Sequence, residues 1–116
     1  MSTYMIQGSY TPMAWSSMLR APENRAEAVA AIVERLDGRL LQSWLCFGEY
    51  DVVSIVELPD TVSAAALVMA IAAGGIVVNL RTTEVIDDEE GLVAMKRASR
   101  VQLRPPAGSL LHEPAE

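Results

Sequence analysis

The sequence predicts a single α+β domain in which four strands form one antiparallel sheet and helices cover one of its faces. Two observations indicate this fold class. Segments with a two-residue apolar period alternate with amphipathic segments in the order strand, helix, strand, strand, helix, strand. The two middle strands are separated by a short polar reversal, whereas each helix connects two strands. This split βαββαβ order, with an extra helix after the last strand, is typical of ferredoxin-like folds.

The start of the chain predicts a strand and a short helical segment. Residues 3–10 alternate in polarity, so Tyr4, Ile6 and Gly8 share one side of the strand. Thr11-Pro12 ends the strand, and residues 13–20 predict a short helical turn before the next proline.

The clearest amphipathic helix is predicted over residues 22–36. Pro22 suits a first-turn position, because the N–H that it lacks is not needed there. Four apolar residues recur at three- and four-residue spacing along the segment: Ala26, Val29, Val33 and Leu36. Asp37-Gly38 is a helix-ending signal, in which we expect the glycine to adopt the left-handed conformation.

The later elements follow from apolar runs and the residues that end them. Strands are predicted over residues 39–47, 51–58 and 76–86. Asp60 is predicted to cap a helix over residues 61–73, which a pair of glycines ends. A last helix opens with four acids and closes with basic residues, an order that favours the helix dipole. The acids are Asp87, Asp88, Glu89 and Glu90, and the bases are Lys96, Arg97 and Arg100.

One face of the predicted sheet is left open by the helices. The helix-facing side is predicted to carry Tyr4, Ile6, Val52, Val56, Ile76, Val78 and Leu80. The open side is predicted to carry Met5, Gln7, Val53, Ile55, Val77, Asn79 and Arg81. This second set is too apolar to remain in water, so it predicts a subunit interface or a ligand groove.

The helix over residues 61–73 supports the same expectation. Its predicted core stripe comprises Val62, Ala65, Ala66, Met69 and Ala73. Apolar residues also occupy its other sides, namely Leu67, Val68 and Ile71. A helix that is apolar all round tends to be covered all round. We therefore expect the chain to be its own partner, in a homodimer or a higher homo-oligomer.

Composition and charge restrict the function further. The chain has 116 residues and a formal net charge of −6, which argues against nucleic-acid and anionic-membrane partners. One domain is expected over residues 1–104, followed by a flexible polar tail over residues 105–116. No signal peptide is evident, and the longest apolar stretch, residues 64–73, is too short to span a bilayer. A cytoplasmic location is therefore expected.

The residues that most often carry chemistry are scarce. Cys46 is the single cysteine, which excludes a disulfide within the chain and a cysteine zinc site, and we expect a buried, inert thiol. His112 is the single histidine and lies in the predicted tail, where a solvated side chain is expected. The sequence has neither a metal-ligand cluster nor a phosphate-binding loop, so no metal and no cofactor are predicted.

The reversal between the middle strands collects groups that can move protons. Glu49, Tyr50 and Asp51 are candidates for acid and base catalysis. A hairpin turn explains the same residues structurally. Gly48 would supply a free backbone angle, Asp51 would cap the turn through its side chain, and Tyr50 would pack.

The open face of the sheet offers a candidate ligand site. Gln7, Asn79 and Arg81 share one direction on the predicted alternation, and Gln42 and Trp44 join them if their side of the second strand faces the same way. A mostly apolar pocket with a few polar groups is the usual form of a small-molecule site, and an arginine suits a carboxylate or enolate. The alternative is that these five residues form hydrogen bonds across a subunit interface.

The middle hairpin resembles a known family. The run Phe47-Gly48-Glu49-Tyr50-Asp51-Val52-Val53, followed by Ile55-Val56-Glu57-Leu58-Pro59-Asp60, is similar to the Gly-Tyr-Asp-like signature of the GYD domain family, here with Glu49 inserted. Other matching segments are Asn24-Arg25-Ala26-Glu27-Ala28, Leu36-Asp37-Gly38-Arg39-Leu40, Ala72-Ala73-Gly74-Gly75, Arg81-Thr82-Thr83 and Arg104-Pro105-Pro106. The resemblance covers residues 3–106.

The resemblance implies a ferredoxin-like subunit of the dimeric α/β-barrel type, in which two sheets pack through their open faces. It implies no settled activity. The broader group includes cofactor-free monooxygenases, isomerases of small aromatic acids and ligand-sensing domains, which often use a histidine or another acid/base group in the barrel. The predicted strands contain no histidine, which argues against that form of catalysis.

Three functional hypotheses follow from these expectations. The first is an oligomeric small-molecule-binding domain, with its site on the open face, between sheet and helices, or between subunits. The second is a small cofactor-free enzyme, monooxygenase- or isomerase-like, that acts on an aromatic or enolisable metabolite. In that enzyme Glu49, Tyr50 or Asp51 would handle protons and Arg81 would hold the anion. The third is a purely structural assembly subunit.

Overall fold

One antiparallel sheet organises the structure, a computed structural model that describes residues 1–108. The elements in chain order are β1 (Ser2–Tyr10), α1 (Pro12–Arg20), α2 (Arg25–Arg35), β2 (Arg39–Leu45), β3 (Val52–Leu58), α3 (Thr61–Ala73), β4 (Val77–Val85) and α4 (Asp88–Ala98). The strand order is β2-β3-β1-β4, and each pair of neighbours is antiparallel. The predicted α+β, ferredoxin-like fold with an extra C-terminal helix is confirmed.

The chain divides into two compact units. The first, Met1–Val85, contains the sheet and α1 to α3, and the second begins at Ile86 and contains α4. The proposed tail over residues 105–116 stays a prediction, and His112 lies outside the described residues. Within residues 1–108, none of the helices has the length and apolar character needed to cross a membrane.

Side-chain caps decide where the helices begin. Asn24 Oδ1 accepts a hydrogen bond from the backbone N–H of Ala26 at 3.0 Å, so α2 begins at Arg25. The expectation that Pro22 opens this helix is wrong, because asparagine satisfies a free N–H of the first turn. Asp60 caps α3 as predicted. The segment before α2, expected to be a short turn, is the nine-residue helix α1.

The end of α2 assigns different roles to two adjacent residues. Asp37 adopts the left-handed conformation with φ of 60°, and Gly38 does not. The expectation that the glycine makes this turn is therefore wrong. Gly38 is required for another reason, since a Cβ there would collide with the carbonyl oxygen of Glu57 and the side chain of Leu58. The glycine lets the chain pass close to β3.

The hydrophobic core lies between one face of the sheet and helices α2 and α3. Its buried members are Tyr4, Ile6, Val33, Val56, Leu58, Ala64 and Leu67. Partly buried aliphatic residues complete it, among them Val29, Ile32 and Leu80. The alternation of β1 is as predicted, because Tyr4, Ile6, Gly8 and Tyr10 are the buried residues of that strand.

Helix α3 packs through a different side from the one predicted. Leu67 is fully buried, whereas Val62 and Met69 are 76% and 69% exposed. The predicted core stripe through Val62 and Met69 is therefore wrong. Because α3 is apolar on every side, its sequence period does not indicate which side faces the sheet.

Strand β4 contains an irregularity that reverses the predicted alternation. Its pairing with β1 shifts by one residue between Gln7 and Ser9, and Asn79 lies at this bulge with φ of 55°. Val77 therefore faces the helices, and Val78, paired with Ser9, faces the open side. The predicted sides of these two valines are wrong, because one extra residue at the bulge inverts the side chains before it relative to those after it.

The second unit contains a well-capped helix. Glu90 N–H donates to Asp87 Oδ1 at 2.7 Å, and Asp87 N–H donates to Glu90 Oε1 at 3.4 Å, which forms a capping box. Basic residues Lys96 and Arg97 close the helix, as the charge order predicted. Helix α4 has no buried residue, and its apolar side chains Leu92, Val93 and Met95 are exposed.

Candidate functional site

Asp51 fixes the tip of the β2–β3 hairpin to the end of β1. Its backbone N–H donates to the Gly8 carbonyl at 2.9 Å, and its Oδ2 accepts from the Tyr10 N–H at 2.9 Å. Its own carbonyl accepts from the Cys46 N–H at 2.9 Å. The Asp51 carboxylate therefore binds a neighbouring strand and does not cap the turn itself. This contact holds Tyr10 at the point where β1 ends.

The other residues of the hairpin tip have no contact with a cavity. Gly48 has no positive φ, so the expectation that it supplies a free backbone angle is wrong. Glu49 is exposed and Tyr50 is partly exposed, and neither lines any of the three cavities described below. Cys46 is partly buried, with its thiol donating to the Tyr50 carbonyl at 3.0 Å. Proton handling by Glu49, Tyr50 or Asp51 stays a prediction.

Three of the five predicted ligand residues, Trp44, Gln7 and Arg81, lie in one row across the open face of the sheet. Trp44 pairs with Val53, Val53 with Gln7, and Gln7 with Arg81. Adjacent strands are about 4.8 Å apart, so the ends of this row are separated by roughly 14 Å. None of the three cavities described below is lined by both Trp44 and Arg81. Their shared role in ligand binding stays a prediction.

The two remaining candidates lie beside this row. Gln42 pairs with Ile55 in the next row of the open face. Asn79 is exposed at the bulge of β4. Gln7, Gln42, Asn79 and Arg81 line none of the three cavities. Trp44 differs from them, since it also lines the first cavity.

A cleft opens on the helix-covered side of the sheet, between α1, the start of α2 and strands β2 and β3. Its volume is about 410 Å³, within the range of about 300–1,000 Å³ that is usual for small-molecule pockets. We call it the outer cleft. Its aromatic, aliphatic and charged walls include Tyr10, Trp15, Met18, Glu23, Arg25 and Val29.

Two aromatic rings form one wall of the outer cleft. Tyr10 ends β1 on the helix-facing side, and Trp15 lies on α1 one turn after the chain reverses. Their ring centroids are 5.2 Å apart at an interplanar angle of 77°, which is an edge-to-face contact. This contact orients the indole relative to the phenol. The pair offers a flat apolar surface beside a phenolic hydroxyl.

Arg25 is the cationic group of the outer cleft. It is the first residue of α2, and its guanidinium is bound by Glu23 Oε1 at 3.0 Å. The Arg25 side chain is 30% exposed and that of Glu23 is 59% exposed. Exposed ion pairs of this kind contribute little to stability. The guanidinium therefore has donors that a bound anion can use.

A smaller apolar cavity adjoins the outer cleft beneath α2 and α3. Its volume is about 140 Å³, and we call it the inner cavity. Four residues line both spaces: Tyr10, Arg25, Val29 and Val52. Aliphatic side chains such as Ile32 and Leu80 form most of its other walls. Its buried polar residue, Ser54, has its hydroxyl 3.3 Å from that of Ser43.

A third cavity lies on another side of Arg25, between α1 and the turn at Gly74-Gly75. Its volume is about 400 Å³, and both Glu23 and Arg25 line it. Arg25 thus borders all three of these cavities. Its ion pair with Glu23 lies where the outer cleft and the third cavity meet.

The Tyr10 phenol is held in its protonated form. Burial raises the pKa of Tyr10 above its ordinary value of 10.0, Arg25 opposes this shift, and the Asp51 carboxylate adds to it. The phenol therefore remains neutral across physiological pH. A neutral phenol both donates and accepts hydrogen bonds, so Tyr10 can bind either a carbonyl or a hydroxyl of a ligand.

The sequence interpretation did not identify Tyr10, Trp15 and Arg25 as a site. Two signals pointed to them. Tyr10 continues the buried alternation of β1, and Arg25 lies in the segment Asn24-Arg25-Ala26-Glu27-Ala28 that resembles the family. A tryptophan in a segment expected to be only a turn carried no such signal. Their proximity depends on the packing of α1 and α2 against the sheet.

The described residues show no arrangement suited to metal binding. Between residues 1 and 108, no group of three or more histidine, cysteine, aspartate and glutamate side chains is placed to hold a metal ion. The ionisable side chains that line the outer cleft are those of Tyr10, Glu23 and Arg25.

Comparison with known proteins gives one result. A family model described as GYD domain matches residues 4–94, which include all of the sheet except the first two residues of β1, the hairpin signature and every residue that lines the outer cleft. No curated protein matches the chain.

Proposed function

The chain belongs to the GYD domain family, and we propose that it is an oligomeric subunit that binds a small organic molecule in the outer cleft. The observation that carries this proposal is the convergence of Tyr10, Trp15 and Arg25 on a largely apolar space of about 410 Å³. Small-molecule sites are usually mostly apolar, with a few polar groups that fix orientation. The outer cleft has this composition.

The cleft supports binding better than the open face does. The row from Trp44 to Arg81 is spread over four strands, whereas the cleft residues surround one volume. Trp44, which lies in the open-face row, also lines the outer cleft. The open face is better suited to contact a second copy of the chain.

The exposed apolar side chains of the open face support the proposed self-association. On the open face, Trp44 is 51% exposed and Val78 is also exposed, beside Met5, Val53 and Ile55. Such neighbouring apolar groups are common where a second subunit packs. The proposal therefore retains a homodimer or a higher homo-oligomer.

A cofactor-free enzyme is the second candidate function, and Tyr10 is the observation that favours it. Tyr10 lines both the outer cleft and the inner cavity, and its phenol is protonated. Arg25 is close enough that its positive charge partly opposes the rise in the Tyr10 pKa. A phenol beside a guanidinium can donate a hydrogen bond to an oxyanion as it develops. Under this proposal Tyr10 takes the role first considered for Tyr50.

Native mass spectrometry of protein purified from its own host tests the binding proposal. We expect a retained small molecule on the wild-type chain, released when the protein is denatured. Ala26→Leu places a larger side chain in the outer cleft, so it should exclude the ligand and remove this mass. Ala31→Leu, on the exposed side of the same helix, should not. Equal retention by the two variants would place the ligand elsewhere. The absence of bound mass in every preparation would favour the structural-subunit hypothesis.

A further inference from the structure

We infer that the ligand of the outer cleft is a small carboxylate with a compact, ring-sized apolar body, and that Glu23 competes with it for Arg25. This inference rests on the proposed function, because it assigns the ligand class and a control element of the same site. It follows from three properties of the cavities: their charges, the existing ion pair, and the size of the inner cavity.

The charges at the cavities indicate a monoanion. Among the residues that line the three cavities, Arg25 is the cation and Glu23 is the acid. One guanidinium matches one carboxylate, with two parallel N–H donors available to two oxygens. Arg25 would leave one charge of a dianionic phosphate uncompensated. The Asp51 carboxylate, which is close enough to raise the pKa of Tyr10, would disfavour that extra negative charge. Burying an uncompensated charge is strongly unfavourable.

The ion pair between Arg25 and Glu23 acts as a built-in competitor. The Glu23 carboxylate lies 3.0 Å from Arg25 Nη1, in the short exposed segment between α1 and α2. It is the same functional group as the inferred ligand, and it occupies a donor that the ligand needs. Because its side chain is mostly exposed, Glu23 can turn into solvent when a ligand binds. Its affinity for Arg25 therefore sets how much ligand the cleft requires.

The inner cavity indicates the shape of the apolar part. Its volume of about 140 Å³ is close to that of apolar protein cavities of about 150 Å³ that accommodate benzene. Its walls are mainly aliphatic, and Arg25 lies at its junction with the outer cleft. A ligand whose ring fills the inner cavity would carry its carboxylate to Arg25. Tyr10 also lines both spaces, and its neutral hydroxyl can donate a further hydrogen bond.

A matched pair of probes tests this inference in the full-length protein. The probes are 4-ethylbenzoate and the neutral 4-ethylbenzamide, which have nearly the same shape. Dissociation constants are measured by NMR chemical-shift titration at physiological ionic strength, where charges more than about 8 Å apart are largely screened. We expect the benzoate to bind the wild-type cleft about tenfold more tightly than the benzamide, as charge-assisted hydrogen bonds are the stronger class.

Paired variants separate the competitor from a general charge effect. Glu23→Gln should tighten benzoate binding about threefold or more and leave benzamide binding unchanged, because it releases the guanidinium. Glu27→Gln removes the same charge from an exposed position that lines no cavity, and it should change neither constant. Arg25→Met should abolish the preference for benzoate, Arg25→Lys should retain part of it, and the exposed control Arg35→Met should keep all of it.

The outcomes distinguish this inference from the function on which it rests. If both probes shift cleft resonances with equal affinity, the cleft binds small molecules but the carboxylate assignment is wrong. If Glu23→Gln and Glu27→Gln behave alike, Glu23 is not a competitor. If a broad set of fragments, these probes included, leaves the cleft resonances unchanged, the proposed function fails and the inference fails with it. Retention of the wild-type amide spectrum verifies that each variant is folded.

Discussion

At the residue scale, Asp51 gives the family signature a structural role. Its carboxylate and backbone join the hairpin tip to β1 at Gly8 and Tyr10. The sequence supported both a catalytic and a structural interpretation of this aspartate, because a carboxylate suits either. The geometry supplies a structural role, since the bond to the Tyr10 N–H positions a residue of the outer cleft.

Substitutions at Asp51 are expected to separate these roles. Asp51→Ala leaves the partly buried Tyr10 N–H without its acceptor and should lower the free energy of unfolding by about 1–3 kcal/mol. Asp51→Asn keeps an acceptor oxygen and should recover most of that loss. The exposed control Glu49→Ala should change it by less than about 0.5 kcal/mol. Urea unfolding measures all three, and an Asn variant as unstable as the Ala variant would contradict this role.

Two glycines are expected to respond oppositely to the same substitution. Gly38→Ala introduces a Cβ against Glu57 and Leu58 and should destabilise the fold by about 1–3 kcal/mol. Gly48→Ala meets nothing within 4 Å and has no left-handed backbone, so its effect should stay within about 0.5 kcal/mol. Thermal unfolding of both variants checks this. A large loss at Gly48 would mean that the signature glycine has a structural role that the contacts do not account for.

The Tyr10 phenol is expected to make stability depend on alkaline pH. Because its pKa is raised in the folded chain, the unfolded phenol ionises first as pH increases past about 10. The stability that depends on Tyr10 is therefore fully present below pH 10 and lost as pH rises through the folded pKa. Tyr10→Phe should remove this part of the decline. Identical pH profiles for both proteins in denaturant unfolding would show that burial does not shift this pKa.

At the element scale, the sequence predicted the order and type of the elements better than the directions of their side chains. The alternation of β1 was correct, because that strand is regular on its helix-facing side. The alternation of β4 was wrong at Val77 and Val78, which precede Asn79, because this asparagine adopts a left-handed conformation at a bulge that inserts one residue. Such a bulge has only a weak sequence signal, and it inverts the side chains before it relative to those after it.

Helix α3 gives a direct test of the revised core. Leu67→Ala should lower the free energy of unfolding by about 2–5 kcal/mol, because it leaves a cavity at a fully buried position. Met69→Ala removes an exposed side chain of the same helix and should cost less than about 1 kcal/mol. Chemical denaturation followed by circular dichroism measures both. A larger loss for Met69→Ala than for Leu67→Ala would mean that α3 packs through the side that contains Met69.

At the scale of the whole molecule, the fold was predictable and the cleft was not. The order of strands and helices is local information, and it leads to the sheet order β2-β3-β1-β4 through known topology. The outer cleft joins Tyr10, Trp15 and Arg25 from three elements, and its existence depends on how α1 and α2 pack. Strand pairing brings Trp44, Gln7 and Arg81 into one row on the open face, but a row does not enclose a ligand.

Self-association is a prediction that belongs to this scale. Light scattering coupled to size-exclusion chromatography should give a dimer or a higher oligomer at micromolar concentration. Ile55→Glu places a charge in the middle of the open face and should dissociate it, whereas Val62→Glu on the outer side of α3 should not. The reverse pattern would place the interface on α3. A wild-type monomer at all micromolar concentrations would contradict the proposed oligomer.

The position of the ligand site is tested most directly by NMR chemical-shift mapping of the wild-type protein with a library of small organic fragments. The proposed function predicts that bound fragments produce their largest changes at the Trp15 indole and at the backbone amides of Arg25, Ala26 and Val29. Changes centred on the side-chain amides of Gln7 and Gln42 would instead place the site on the open face and contradict the assignment of the outer cleft.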